Sequence, residues 1–293
     1  MSARDIIEAT TLQLMALYGS REEAAHIAWL LLCALMNTSK AAIIAREELS
    51  LTPELEERLE GWLQKHIREH MPLQYILGSV PFLDLTIIVK SPVLIPRPET
   101  EEWCYALIER MKLLEHTAFK VLDLCTGSGC IALALAQAFK NAYVDAVDNA
   151  DEALALAQEN ATYNHITNVH FLKSDLYSAL DKHVPYDLIV ANPPYISPQE
   201  YTLLEQSVTQ WEDVRALIAQ DEGMEIINKI IDQARSYMLS HNEMQALGFP
   251  QLIIEIGYTQ GARVKQRMEH AGFKNVSILQ DLAGKDRVVT GRL

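Results

Sequence analysis

Asn192-Pro193-Pro194-Tyr195 is the segment of this sequence whose residue types specify a chemistry most directly. An amide or aryl amine nitrogen is a poor nucleophile because its lone pair is delocalised. The side-chain oxygen of Asn192 and the carbonyl of Pro193 could each accept one N–H of such a group and lock it in place. Its remaining lobe would then face an electrophile, with positive charge developing on nitrogen stabilised by the two acceptors. No strong base is required, since the proton turns acidic only as the new bond forms. Two prolines stiffen the backbone, and Tyr195 offers a flat face to a planar group. The catalytic candidates are therefore Asn192, Pro193 and Tyr195, with Pro194 completing the substrate-holding set. A rigid strand-to-loop turn would use the same residues. The position after the apolar run Asp187-Leu188-Ile189-Val190-Ala191 favours chemistry, because ligands bind outside the carboxyl ends of strands in open α/β sheets.

The electrophile is indicated upstream. Val121-Leu122-Asp123-Leu124-Cys125-Thr126-Gly127-Ser128-Gly129 reads as a strand breaking into a glycine turn, with a helix behind it. Glycines allow a ligand to approach the backbone, and the helix N-terminus offers unpaired N–H groups. About 20 residues on, the next strand ends at Asp148, which could accept hydrogen bonds from both ribose hydroxyls or cap the following helix. Gly127, Gly129 and Ala132 also satisfy the G-x-G-x-x-A dinucleotide pattern, and a tight turn with no ligand is the plain alternative. Asp123 tilts the choice, because an acid late in a buried strand needs a partner: the glycine loop or the ammonium of a methionine moiety. With the tetrapeptide downstream the expected donor is S-adenosyl-L-methionine, leaving as S-adenosyl-L-homocysteine. The cofactor candidates are Asp123, Cys125, Thr126, Gly127, Ser128, Gly129, Asp148, Asp175, Leu176 and Asn192. Asp175 could reach the adenine amino group or sit in a surface turn.

The elements that must position these residues alternate. Strands are expected near 119–124, 143–147, 169–172, 187–191, 251–257, 274–279 and 286–290, with helices near 129–139, 150–162, 222–239 and 261–271. That is a Rossmann-like α/β sheet, mostly parallel, with an antiparallel last strand because only a loop separates the final two. Before it, Phe82, Leu85, Ile87 and Val89 suggest a β-hairpin, followed by a helix to about Leu114. Residues up to about His70 read as helices only. Ile6, Ile7, Leu12, Met15 and Leu17 recur at roughly helical spacing, Ser20 with Glu23 forms a capping box, and Thr52-Pro53 opens a helix carrying Leu55, Leu59 and Trp62. The expected organisation is a helical domain over 1–71, a hairpin connector over 72–98 and a methyltransferase domain over 99–293.

A net charge of −14 opposes loose binding to phosphate backbones, so no direct nucleic-acid partner is expected. Cys33, Cys104, Cys125 and Cys130 show neither a CxxC pair nor zinc spacing, so no metal is expected and the thiols should be reduced. The start lacks a basic region followed by an apolar one, and the longest apolar run, Ile27 to Met36, is about half of a bilayer span. A cytoplasmic protein, without a membrane and monomeric, is the expectation. The histidines form no constellation and belong in solvent or core.

DLCTGSG and NPPY, together with Pro72-Leu73-Gln74-Tyr75-Ile76-Leu77-Gly78, Phe82, the stretch Leu94 to Glu101 and the ending Gly284 to Arg292, resemble the release factor glutamine methyltransferases (HemK/PrmC family) over nearly the whole chain. The resemblance implies methylation of the side-chain amide N5 of the glutamine in the GGQ motif of bacterial-type class I peptide chain release factors. It implies cofactor contacts from Cys125 to Gly129, Asp148, Leu176 and Asn192, a glutamine held by Asn192 to Tyr195, and a small domain that helps dock the release factor. One stretch departs. Where the family carries an E-P-x-x-A-L-x-G-like segment, this chain reads Trp211-Glu212-Asp213-Val214-Arg215-Ala216-Leu217-Ile218-Ala219, without the proline and glycine. The same tetrapeptide serves DNA adenine-N6 and RNA guanine-N2 methyltransferases. Those need a route to a base, and no added basic region is seen here.

Overall fold

The computed structural model describes residues 2–45, 50–239 and 246–293. The chain forms two compact units, residues 1–78 with 206–211, and residues 79–205 with 212–293.

The first unit is helical, with helices Ala3–Tyr18, Arg21–Leu35, Lys40–Ile44, Pro53–Arg68 and Leu73–Leu77. Ser2, Ser20, Ser39 and Thr52 each accept a hydrogen bond from the backbone N–H three residues on, giving a partner to a group that a helix start leaves bare. At Ser20 only this arm forms, from Glu23 N–H at 3.4 Å; the two-armed box is made by Ser2 and Asp5. The first helix buries Ile6, Ile7, Thr10, Thr11 and Leu14. Leu12 and Leu17, which the sequence suggested for that face, are 56% and 40% exposed. Thr11 can replace them inside because its hydroxyl donates to the Ile7 carbonyl at 2.7 Å and so carries no orphan. His66 is a core residue of this unit. One ring nitrogen lies 2.8 Å from the Met71 carbonyl and the other 2.6 Å from the Tyr18 hydroxyl. A carbonyl only accepts, so Nδ1 carries the proton and Nε2 receives the tyrosine hydrogen.

The second unit opens with the antiparallel hairpin β1 (Ser79–Phe82) and β2 (Leu85–Ile88). The strands β3 (Lys120–Leu124), β4 (Tyr143–Asp148), β5 (Val169–Lys173), β6 (Leu188–Ala191), β7 (Leu252–Glu255), β8 (Lys274–Gln280) and β9 (Asp286–Arg292) then make one sheet in the order β5-β4-β3-β6-β7-β9-β8. β5, β4, β3, β6 and β7 are parallel, and β9 runs antiparallel between β7 and β8. The central strands are buried along their length, as apolar runs such as Leu188–Ala191 require when helices cover both faces. The helix expected over 222–239 is shorter, Glu225–Ala234, and tightens into a 3-10 turn at Arg235–Tyr237.

The hairpin belongs to this unit for a geometric reason. Asn160, on the helix Asp151–Tyr163, both accepts from Ile88 N–H (2.7 Å) and donates to Ile88 C=O (3.1 Å). Asn164 does the same for Thr86, at 3.1 and 2.9 Å. Four helical residues rise about 6 Å and two strand residues about 6.6 Å. Two amides on one helix face therefore act as a substitute partner strand for the outer edge of β2. The stretch 72–98, expected as a connector, thus divides: 73–77 is a helix of the first unit, and 79–97 folds with the sheet.

Burial holds the His66 imidazole below the usual value of 6.5, with the Met71 carbonyl opposing. A lowered folded value means that the contribution of His66 to stability is present above 6.5 and is lost as pH falls through the folded value. The difference in melting temperature between wild type and His66→Gln should therefore narrow on acidification. A difference that stayed constant across that range would show that the ring is not held neutral.

Candidate active site

In-register parallel pairing brings distant residues together. Leu124 lies beside Val147 and Ala191, and Asp148 beside Lys173. One step further on, Cys125, Asp148, Ser174 and Asn192 stand along one sheet edge, about 5 Å apart from strand to strand. They line a cleft of about 290 Å³ together with Gly127, Asp175, Leu176 and Pro194. Val93, Leu94, Ala150, Ala153 and Ile226 give it an apolar wall.

The glycine turn is held by Asp148. Its Oδ2 accepts from Gly127 N–H at 2.9 Å and its Oδ1 from Ala150 N–H at 3.0 Å. Both arms serve, since the carboxylate fixes the loop and the approach to the next helix, which starts one residue beyond Ala150. Burial pushes the Asp148 carboxyl up, against these backbone hydrogen bonds. Nothing lies within 4 Å of the place where a Cβ on Gly127 would be, so the loop backbone there is open to a ligand. Asp123, Thr126, Ser128 and Gly129 are not part of the cleft lining. Asp123 and Thr126 are buried behind it, with the Thr126 hydroxyl donating to Asp123 Oδ2 at 2.6 Å. The Ser128 carbonyl accepts from the buried Asn160 amide at 3.0 Å, and Gly129 begins the helix Cys130–Ala138 against Ala157. Burial pushes Asp123 up to about 7, against hydrogen bonds from the Thr126 hydroxyl and the Ala132 N–H. Of the two roles open to it, the one with a contact here is orientation of the glycine loop.

The tetrapeptide divides. Asn192 and Pro194 face the cleft, whereas Pro193 is buried and Tyr195 is partly buried outside the lining. Gln260 donates to the Tyr195 carbonyl at 3.0 Å, and Gly223 packs against it with φ +80. The Tyr195 hydroxyl is raised, first by burial and then by Glu255 nearby. Asn192 donates from Nδ2 to the Thr100 hydroxyl at 3.2 Å. Thr100, Glu255, Asn160 and Gln260 were not singled out from the sequence. Only Thr100 carried a signal, lying in the stretch 94–101 that bears the resemblance.

The departing segment forms one wall of the cleft. Asp213 has φ −64, a value a proline also adopts, yet its N–H donates to the Pro92 carbonyl at 2.7 Å. Its carboxylate accepts from Arg215 N–H at 2.8 Å and from the Arg215 guanidinium at 2.6 Å. Ala219 N–H donates to Ile196 C=O, and Ile196 N–H to Leu217 C=O, each at 2.9 Å. The loop therefore closes without the proline and glycine. Glu212, almost wholly buried, pairs with Arg97 at 2.5 Å. Burial raises its carboxyl and Arg97 opposes this.

Charge selects the ligand class. Asp148, Glu152, Asp175 and Asp213 line the cleft, against one basic residue, Arg215, which is itself engaged by Asp213. A dinucleotide pyrophosphate would meet repulsion there, whereas a sulfonium with an ammonium would be attracted. The residues present fit S-adenosylmethionine. Among the described residues, no group of three or more His, Cys, Asp or Glu could hold a metal ion.

Family models match two parts of the chain, the PrmC N-terminal domain over residues 5–78 and the methyltransferase small domain over 104–213. A release factor glutamine methyltransferase of Lactococcus lactis is 40% identical over 84% of this chain and 84% of its own. One from Escherichia coli is 38% identical over 85% of each. The chain belongs to the release factor glutamine methyltransferase family. It is an S-adenosylmethionine-dependent methyltransferase. A solved methyltransferase from Pyrococcus furiosus, 16% identical, shares the fold at TM-score 0.51 over 82% of this chain and 99% of that one.

In this methyltransferase a Cβ on Gly223 would lie 2.0 Å from the Tyr195 carbonyl oxygen. Gly223→Ala should therefore displace the tetrapeptide and lower stability by roughly 1–3 kcal/mol, the cost of a non-glycine residue forced into such a conformation. Chemical denaturation checks this, and an unchanged midpoint would show that the loop yields freely.

Proposed function

We propose that this protein methylates the side-chain amide N5 of the glutamine in the GGQ motif of bacterial-type class I peptide chain release factors. The observation that carries the reading is Asn192 at the carboxyl end of β6, on the wall of an acidic cleft, in a member of this family. Cys125, Gly127, Asp148, Asp175, Leu176 and Asn192 would hold S-adenosylmethionine, with Asp123, Thr126, Ser128 and Gly129 shaping the loop from behind. When bound, that cofactor supplies an electrophilic methyl group on a sulfonium.

The chain's own residues do the rest. Asn192 Oδ1 and the Pro193 carbonyl each accept one N–H of the glutamine amide. The nitrogen is thereby oriented, and the charge it gains in the transition state is stabilised without a base. Tyr195 and Pro194 bound the planar amide and exclude water. Arresting a weak nucleophile in one orientation is worth several kcal/mol, which is the main demand of such a transfer. The release factor is engaged partly by the helical unit, whose match to the PrmC N-terminal domain supports a docking role. A substrate that acts on the ribosome places the reaction in the cytoplasm, and no nucleic acid is needed as acceptor.

Incubation with S-adenosylmethionine and a recombinant release factor should add one methyl to the GGQ glutamine, read by mass spectrometry. Methylated DNA or RNA with an unmodified glutamine would sink the proposal. Asn192→Ala should abolish turnover while cofactor affinity falls little. Asp148→Ala should weaken cofactor binding by about ten- to a hundredfold, as loss of a charge-assisted hydrogen-bonding group does. Calorimetry on both variants separates the two roles, and an unchanged affinity in Asp148→Ala would remove that residue from the site.

A further inference from the structure

Asn192 is useful as an acceptor only if its amide oxygen, not its NH₂, faces the glutamine. The amide itself has no strong preference, since its two ends are nearly the same shape. The surroundings decide. Nδ2 of Asn192 donates to Thr100 Oγ1 at 3.2 Å, and that hydroxyl donates its single hydrogen to Glu255 Oε2 at 2.7 Å. Trp103 Nε1–H donates to the same Oε2, also at 2.7 Å. Thr100 and Glu255 are each 1% exposed, so water does not compete for these groups.

With no proton on Glu255 Oε2, every bond in this chain runs in one direction. Indole N–H can only donate, so Oε2 must be an acceptor. The threonine hydrogen is committed to that oxygen, which leaves Oγ1 able only to accept from Asn192. An amide turned the other way would set its oxygen against the Thr100 lone pairs. The elements supply the positions: β6 and β7 pair with Ala191 beside Ile254, so the next residues, Asn192 and Glu255, stand side by side. Thr100 and Trp103 are three apart on the helix Pro98–Arg110, on one face of it.

We propose that Thr100 and Glu255 form a polarity relay, anchored by Trp103, that fixes the Asn192 amide with Oδ1 toward the acceptor nitrogen. They are positioning residues for methyl transfer and for the choice of a glutamine over a glutamate. The proposal rests on the reading of Asn192 given above. A glutamine amide brings N–H donors to Oδ1, whereas a glutamate carboxylate brings only acceptors and is repelled by it. Both donors converge on Oε2, so the direction of the relay does not depend on a proton at Oε1.

The test uses the full-length enzyme with the release factor as substrate, and a release factor carrying glutamate at the target position as competitive inhibitor. Thr100→Val keeps the side-chain shape and removes the hydroxyl. It should lower kcat about tenfold, the equivalent of one hydrogen bond, and leave cofactor affinity unchanged. The amide would then be free to turn its NH₂ outward, so the ratio of the inhibitor's Ki to the substrate's KM should fall several-fold. Thr100→Ser should restore both values. Wild-type kcat and ratio in Thr100→Val, or a loss of rate with an unchanged ratio, overturns the relay. Asn192→Ala assayed in parallel keeps the two readings apart. If it retains full turnover, the role of Asn192 itself has failed. If it is inactive while Thr100→Val matches wild type, only the relay has failed.

Discussion

Parallel pairing of β4, β3 and β6, in register to their last residues, is the constraint on which the site depends. Each of these strands ends at the same edge, and each passes a polar residue over it: Cys125 and the glycine loop, Asp148, Asn192. A slip of one residue would turn Asp148 or Asn192 to the opposite face and leave a buried acid or amide unpaired. Burial of the apolar strands on both faces makes such a slip costly. The same hydrophobic pattern that folds the sheet therefore aligns the chemistry, and the helices behind the loops need only hold what the register delivers.

What they hold is polar, and that shapes how the loops are built. Asp148 spends its carboxylate on Gly127 and Ala150, Asn160 spends its amide on Ile88 and Ser128, and Gln260 ties the carbonyls of Tyr195 and Glu222. Backbone groups at turns near a cleft cannot all find secondary-structure partners, and leaving one buried and bare costs about 1–3 kcal/mol. Long amides and carboxylates supply the partners from a neighbouring element. The result is a loop set held from below, with Gly127 and one side of Asn192 open. In the function proposed above, preorganisation of this kind would let the site meet a weak nucleophile without a base of its own.

The strand-helix alternation was legible because period and punctuation are local properties: apolar runs of four to six residues, Gly127 and Gly129 at one break, two prolines at another. The antiparallel last strand followed from the short link between β8 and β9. Cleft residues such as Cys125, Gly127, Asp148, Leu176 and Asn192 could be read for the same reason, since each lies next to a strand end. The buried supports could not. Glu255 ends an apolar strand and resembles any strand-terminal acid, and its partners Thr100 and Trp103 lie some 150 residues away. Leu12 and Leu17 misled because helical spacing alone does not set which stripe faces in. A threonine that satisfies its hydroxyl locally, as Thr11 does, can occupy the core instead.

The segment around Asp213 borders the cleft with hydrogen bonds where the resembled pattern has a proline and a glycine. A proline there would also take a φ near the −64 that Asp213 adopts. What differs is the N–H. Proline has none, and the Pro92 carbonyl would need another donor; Asp213 provides it at 2.7 Å. The carboxylate then recovers the stiffness a proline ring gives, by binding the N–H and guanidinium of Arg215 two residues on. It also adds a negative charge at the cleft and engages the one cation among the lining residues, so the region stays suited to a positively charged ligand. Hydrogen bonds supply the restriction here, and the carboxylate of Asp213 adds to the negative field of the wall.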